Sequence, residues 1–201
     1  SLHQEIASST FAECNMATMS YFLSCWVCPG GSEEQTARAN MSVVRYGPDG
    51  NPKAHVTVSI SNQGATPFVP TVGSLKMNDG YYVPVADDLL HLKNCGISGN
   101  PVSATAGTGP DATRLTFYRL YINFDVSMNS EADTQDTFRI ILSADDFPDN
   151  TETTRVYFDG LKLEKSFDEF QDRPTTYHEG TTLFSPSHSL DMGGRHSYYE
   201  W

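Results

Sequence analysis

The chain has 201 residues, of which 38% are hydrophobic and 11% aromatic, so it is long enough for one buried core and too apolar for a disordered protein. Lys and Arg number 13 against 25 Asp and Glu, which gives a formal net charge of −12. A field of this sign repels nucleic-acid phosphates and anionic lipid, and the apolar runs are far shorter than the roughly 20 residues that span a bilayer. Neither nucleic-acid binding nor membrane insertion is therefore expected.

Apolar and polar residues alternate at period two along most of the chain, whereas helical periodicity is almost missing. Between Tyr118 and Val126, for example, every second residue is apolar or aromatic, which is typical of a half-buried strand. In chain order, strands are predicted at Leu2–Ala7, Thr18–Cys28, Arg38–Tyr46, His55–Ser61, Gly80–Val85 and Tyr118–Val126, around Phe138–Leu142, and at Thr154–Leu163.

Turn-forming Gly, Pro, Asn and Asp residues lie between these strands, as in the Gly-Pro-Asp-Gly sequence of Gly47–Gly50. Seven or eight short strands separated by such turns predict an all-β protein, a two-sheet antiparallel β-sandwich. Only Asp87–Lys93 and Phe167–Gln171 have a helical pattern. The Gly- and Ser-rich segment Ser98–Asp111 has little to bury, so it is predicted to be a long surface loop.

The alternation stops near residue 167, which predicts a sandwich domain over residues 1–166 followed by an extended C-terminal tail over 167–201. The tail contains Tyr177, Phe184 and Trp201, so it is too aromatic for an inert linker. We expect it to dock on its own domain or on a neighbouring subunit.

Two stretches resemble strands of a known family. Met19–Gly30 (MSYFLSCWVCPG) is similar to a "YTLSFWVK-G" strand, and Arg155–Glu164 (RVYFDGLKLE) to a closing "VYIDDVQLE" strand, of the carbohydrate-binding jelly-roll modules found on glycoside hydrolases and in phage tail proteins. His3–Ile6 resembles their opening strand, and Arg173–Tyr177 stands where an "ATPY"-like element often follows. The resemblance covers roughly residues 1–178, and the chain departs from it at Cys28, in its long middle loop and in its tail.

The resemblance implies a jelly-roll topology and a module that recognises surface carbohydrate on a virion or another extracellular surface. It implies no catalysis, and the sequence contains no Gly-x-Ser-x-Gly elbow, His-Glu-x-x-His helix or phosphate-binding glycine loop. One alternative is a purely structural capsid decoration or filament subunit, in which sheet faces and tail join copies in a homo-oligomer. Another is an accessory module of a secreted enzyme.

A glycan-binding surface of such a module needs aromatic rings and a few polar side chains on one sheet face. On the side of the 115–125 strand that points away from the core, this mixture is supplied by Phe117, Arg119, Tyr121, Asn123 and Asp125, and Tyr81 and Tyr82 are further candidates. The alternative interpretation is a sheet face that is solvated or contacts another subunit.

Asp159 stands where the resembling modules often have a carboxylate near a structural calcium ion, helped by the opening strand, here by Glu5. Calcium takes about six to eight oxygen ligands, so these two residues need further partners from the fold. In the alternative interpretation, Asp159 begins an Asp-Gly turn or bulge before Leu161.

Cys25 and Cys28 have the spacing of a zinc or redox pair, but strand residues three apart point to opposite faces and no second such pair follows. We therefore expect a buried thiol at Cys25. Cys28 is either free or bridged to Cys14 or Cys95, and the sequence leaves the disulfide state open.

Overall fold

The computed structural model describes residues 2–7, 18–30, 37–62, 64–68, 74–76, 82–84, 86–106, 113–146, 156–166 and 171–175. They form twelve strands and one short 3-10 helix at Glu131–Gln135. The strands are β1 Leu2–Ala7, β2 Thr18–Pro29, β3 Ala37–Tyr46, β4 Pro52–Ser61, β5 Gly64–Phe68, β6 Ser74–Lys76, β7 Tyr82–Pro84, β8 Leu90–Ile97, β9 Val102–Ala106, β10 Thr113–Ser127, β11 Thr137–Asp146 and β12 Val156–Lys165.

The strands build two antiparallel sheets. The first sheet has the order β1-β11-β3-β4-β5, and the second has the order β12-β2-β10-β8, with β9 pairing to the first half of β10. A separate two-stranded ribbon joins β6 and β7. The prediction of an all-β, two-sheet antiparallel protein is thus confirmed, and the architecture is that of a β-sandwich.

The core lies between the two sheets and is built from alternate residues of their central strands. On β10, Leu120, Ile122 and Phe124 are fully buried in a cluster that also contains Val58 and Ile60 of β4. Because strand residues alternate between faces, the intervening residues of both strands point away from this core. The inward row predicted for the 118–126 strand is confirmed.

A buried cluster of charged residues joins the two sheets at one end of the sandwich. The Arg45 side chain is fully buried, and its Nε donates to Asp136 Oδ2 at 2.6 Å. Its Nη1 donates to the carbonyl oxygens of Leu89 and Ser127 at 3.0 and 2.5 Å, which ties β3 to the ends of β8 and β10. Lys53 Nζ lies 2.8 Å from Asp136 Oδ1. Arg45 satisfies its buried carboxylate and carbonyl partners at the same time, as a buried charge must.

Two sequence-based predictions are wrong in the middle of the chain. The helix predicted at Asp87–Lys93 is a turn followed by β8, because pairing with β10 supplies backbone hydrogen bonds that outweigh a weak local pattern. Within the predicted loop Ser98–Asp111, residues 102–106 form β9, an exposed strand paired with Thr113–Phe117. Of the helix predicted at Phe167–Gln171, residues 167–170 lie outside the described part of the chain.

Among the described residues, no helix is long and apolar enough to cross a membrane.

The short 3-10 helix was not predicted from the sequence. Its Asp133 side chain accepts hydrogen bonds from the backbone N–H groups of Asn129 and Ser130, both at 2.9 Å, which fix the first turn.

Candidate functional site

The outward face of the second sheet is organised in rows that run across its strands, because directly paired residues point to the same side. In one row, Phe117 on β10 pairs with Val102 on β9, and Tyr157 on β12 pairs with Cys28 on β2. In the next row, Trp26 on β2 lies between Arg119 on β10 and Asp159 on β12. The register therefore gathers aromatic side chains from three adjacent strands at one end of the sheet.

We name Trp26, Phe117, Tyr157, Val102 and Asp159 the aromatic patch. Its three aromatic side chains are partly exposed, and Asp159 is exposed. Val102 is 51% exposed and is the one large hydrophobic residue that stands out to solvent in the described part of the chain. These apolar side chains are neighbours on one sheet face, so they form a clustered surface and not the scattered single residues that are ordinary on proteins.

Two charged residues flank Trp26, and their environments differ. Arg119 is 4% exposed, and its Nη2 donates to Ser24 Oγ at 3.1 Å, so it is held against the sheet. Asp159 stands at a β-bulge, where the pairing of β12 with β2 shifts before Lys162. Gly160 follows in the left-handed region, at φ 58°, which glycine adopts without strain. The bulge predicted as the alternative for Asp159 is thus confirmed.

The same face is closed over its next two rows. Ser24 and Tyr121 form one row, Phe22 and Asn123 the other, and all four are at most 8% exposed. The Phe22 and Tyr121 rings lie 6.1 Å apart between centroids. Gly96 makes room for Tyr121, because a Cβ atom there would come within 2.9 Å of its ring. Burial raises the pKa of the Tyr121 hydroxyl.

Residues 171–175, which we name the strap, lie against these closed rows. The backbone N–H of Thr175 donates to Glu164 Oε1 at 2.5 Å, and Lys162 pairs with the same carboxylate. Arg173 and Asp172 are close enough to Tyr121 to act on its pKa in opposite directions. Pro174 is buried. The strap thus lies over part of the outward face, at the closed rows.

The structure separates the predicted glycan-binding residues into different groups. Phe117 lies in the aromatic patch and Arg119 lies at its edge. Tyr121 and Asn123 lie in the closed rows, and Asp125 lies beyond them, paired with Ser20 on β2. Tyr82 is on β7, which pairs with β6 and not with β10. Its neighbour Tyr81 lies outside the described residues.

Sequence reasoning did not select Trp26, Tyr157 and Val102 as site residues. On β2 both faces carry large apolar side chains, so alternation does not reveal that Trp26 points outward. Tyr157 and Val102 become neighbours of Phe117 only through strand pairing. The adjacent aromatic residues Tyr157 and Phe158 were an available signal. Neighbouring strand residues point to opposite faces, so one of the two has to face away from the core.

The calcium site proposed at Asp159 and Glu5 stays a prediction, because the side chain of Glu5 lies outside the described part of the structure. Glu5 is on β1 at an edge of the first sheet, where it pairs with Arg139, whereas Asp159 is on β12 of the second sheet. The described residues contain no group of three His, Cys, Asp or Glu side chains that could hold a metal.

The cysteine pair is arranged as the strand geometry predicts. Cys25 is buried in the core, its thiol donates to the Asp159 carbonyl oxygen at 3.3 Å, and burial raises its pKa to about 12. Cys28 is on the opposite face, next to the aromatic patch, and burial raises its pKa also. Cys25, Cys28 and Cys95 are free thiols, and Cys14 lies outside the described residues. Protonated thiols on opposite faces are unsuited to a shared metal or redox role.

The outward face of the first sheet carries a different cluster, which we name the polar ladder: Asn40, Ser42, His55, Thr57 and Ser59. Thr57 Oγ1 lies 2.8 Å from Ser42 Oγ and 3.0 Å from His55 Nδ1, and Ser59 Oγ donates to Asn40 Oδ1 at 2.6 Å. All five are at most 6% exposed. Burial lowers the pKa of His55, which favours the neutral ring.

Fold and site together define an antiparallel β-sandwich with an aromatic surface on one sheet. Comparisons with protein-family models, with curated proteins and with solved structures found no match to this chain. Its function is therefore inferred from the geometry of the aromatic patch and from the resemblance of its strands.

Proposed function

We propose that this chain is a non-catalytic carbohydrate-recognition module of the jelly-roll type, which works on a virus particle or another extracellular surface and binds glycan at the aromatic patch. The observation that carries the proposal is the set of three partly exposed aromatic side chains, Trp26, Phe117 and Tyr157, on three adjacent strands.

This arrangement matches the chemistry of sugar binding. Aromatic rings stack on the apolar faces of pyranose rings, and a few placed polar groups pair with the hydroxyls. Trp26, Phe117 and Tyr157 provide the rings, and Asp159 provides an exposed acceptor. Because sheet pairing holds each strand, the platform is rigid before the ligand arrives and little ordering entropy is lost on binding.

The family resemblance supports the same proposal. The two stretches that resemble carbohydrate-binding jelly-roll modules, Met19–Gly30 and Arg155–Glu164, pair with each other as β2 and β12 and carry Trp26, Tyr157 and Asp159. Such modules are found in phage tail proteins and on secreted glycoside hydrolases. A surface glycan is accordingly the proposed partner, on a virion or as an accessory to a secreted enzyme.

Affinity electrophoresis through gels that contain neutral, basic or acidic polysaccharides tests the proposal. Wild type is expected to be retarded by at least one polysaccharide, and Trp26→Ala is expected to weaken that retardation about tenfold or more, the loss of about 1.4 kcal/mol of ring stacking. Trp26→Phe should restore most of the binding, and His91→Ala, an exposed change at the other end of the same sheet, should leave it unchanged. Equal retardation of wild type and Trp26→Ala would refute the proposal.

A second candidate, a structural subunit of a larger assembly, is favoured by one observation. Residues Val102–Thr105 of β9 are exposed and uncharged, and β9 pairs with β10 on one side without a further partner among the described strands. Open, uncharged edges of this kind pair readily with other chains. Sedimentation of wild type over a range of concentrations separates the candidates: self-association without polysaccharide binding supports the structural subunit, and a monomer that binds supports recognition.

A further inference from the structure

The charge of the aromatic patch indicates the class of glycan that it takes. We propose that the patch prefers glycans with free amino groups, such as deacetylated amino-sugar polymers, over neutral or acidic ones. This inference rests on the proposed carbohydrate function and adds the ligand's charge to it.

Asp159 and Trp26 are placed to bind an ammonium group together. They are directly paired neighbours on β12 and β2, so their Cβ atoms are about 4.5–5.5 Å apart on the same side of the sheet. Trp offers the best ring face for a cation, and a carboxylate forms short, charge-assisted hydrogen bonds with ammonium. One amino group above the indole can therefore contact both side chains.

Main-chain contacts fix the place of Asp159 on the sheet. Its carbonyl oxygen accepts a hydrogen bond from the buried Cys25 thiol at 3.3 Å. The β-bulge that follows, with Gly160 at φ 58°, ends the regular pairing immediately after Asp159. The side chain itself is exposed, so it is available to a ligand.

Two described cations close to the patch in the strand pairing, Arg119 and Lys162, bind other residues. Arg119 is 4% exposed and donates to Ser24. Lys162, on the other side of the bulge, pairs with Glu164 and contacts Thr175 of the strap. Neither is exposed at the patch to attract a sugar carboxylate, and the chain's net charge of −12 attracts polycations and repels uronic or sialic acids.

Glucosamine oligomers and N-acetylglucosamine oligomers of equal length differ in the charge of the amino group and test the inference. Each is titrated into the full chain by calorimetry, at low salt and at a pH below the pKa of the amine. Wild type is expected to bind the glucosamine oligomer about two- to fivefold more tightly, the range of an exposed ion pair. The preference should disappear in Asp159→Asn and shrink in high salt. Trp26→Ala should weaken both ligands.

The outcomes distinguish this inference from the proposed function. If both oligomers bind equally to wild type, or if Asp159→Asn keeps the preference, the charge assignment is wrong while carbohydrate recognition stands. If wild type binds neither oligomer but is retarded by a neutral or acidic polysaccharide, the assignment is likewise wrong. If it binds no polysaccharide at all, both proposals fail.

Discussion

The outward faces of the two sheets are built with the same alternation of side chains but differ in exposure. On the first sheet, the outward face has the polar ladder, whose members bond to one another, and a small cluster of Val44, Tyr46 and Ile141, and all of these residues are buried. On the second sheet, the outward residues at one end are large aromatic side chains that remain partly exposed. A face that is buried and internally bonded stabilises the fold, whereas rings left exposed on a rigid sheet are available for a ligand.

The second sheet shows the same contrast within a single face. Trp26 and Phe22 are both outward residues of β2, four positions apart, yet Phe22 is fully buried and Trp26 is partly exposed. The strap lies next to Tyr121 and bonds to Glu164, which is paired with Phe22. Chain that folds back over a sheet thus decides which part of it a ligand can reach.

Removing the buried Arg45 side chain, which joins the two sheets, should have the largest effect on stability. Arg45→Ala leaves Asp136 buried without its main partner, so the free energy of unfolding should fall by about 3–5 kcal/mol. Urea unfolding followed by fluorescence measures the change. Lys53 also pairs with the Asp136 carboxylate, but the Lys53 side chain is 33% exposed. Lys53→Ala should therefore lower the free energy of unfolding by about 1 kcal/mol or less. Equal costs for the two variants would contradict the buried network.

A change in the polar ladder should affect stability without affecting binding, which sharpens the comparison of the two faces. Thr57→Val keeps the side-chain volume but removes the hydroxyl that contacts Ser42 and His55, both buried. The expected loss is about 1–3 kcal/mol of unfolding free energy, measured in urea. Polysaccharide retardation of the folded variant should equal that of wild type, and weaker retardation would assign the first sheet a part in ligand binding.

The smallest expected effect is a pH dependence carried by His55. Burial lowers its pKa from 6.5, and His55 Nε2 is buried without a hydrogen-bond partner in the described structure. The unfolded chain then binds this proton more readily, so the stabilisation is fully present above pH 6.5 and is lost as the pH falls through the folded-state pKa. The difference between the free energies of unfolding at about pH 7.5 and at about pH 5.5 should be smaller in His55→Gln than in wild type. An identical pH dependence in both would show that His55 does not titrate with folding.

The strand sequences alone were sufficient to predict the layers of the sandwich. Alternation located β4 and β10 and assigned Val58, Ile60, Leu120 and Ile122 to the core, because side-chain direction in a strand has period two wherever the strand lies. It also identified Phe117 and Arg119 as outward residues of β10. Alternation did not find β8 or β9, because both strands depend on pairing with β10, which lies later in the chain.

The composition of the candidate site came from long-range pairing. Trp26 and Asp159 are 133 positions apart in number, from 26 to 159, and become neighbours because β2 and β12 pair in one register. The exposure of each residue depended on which chain segments pack over the sheet: Tyr121 has the right residue type and the right face, yet it is 8% exposed next to the strap. Local periodicity specifies the side of the sheet on which a residue lies, and its neighbours and its access to solvent follow from contacts between distant segments.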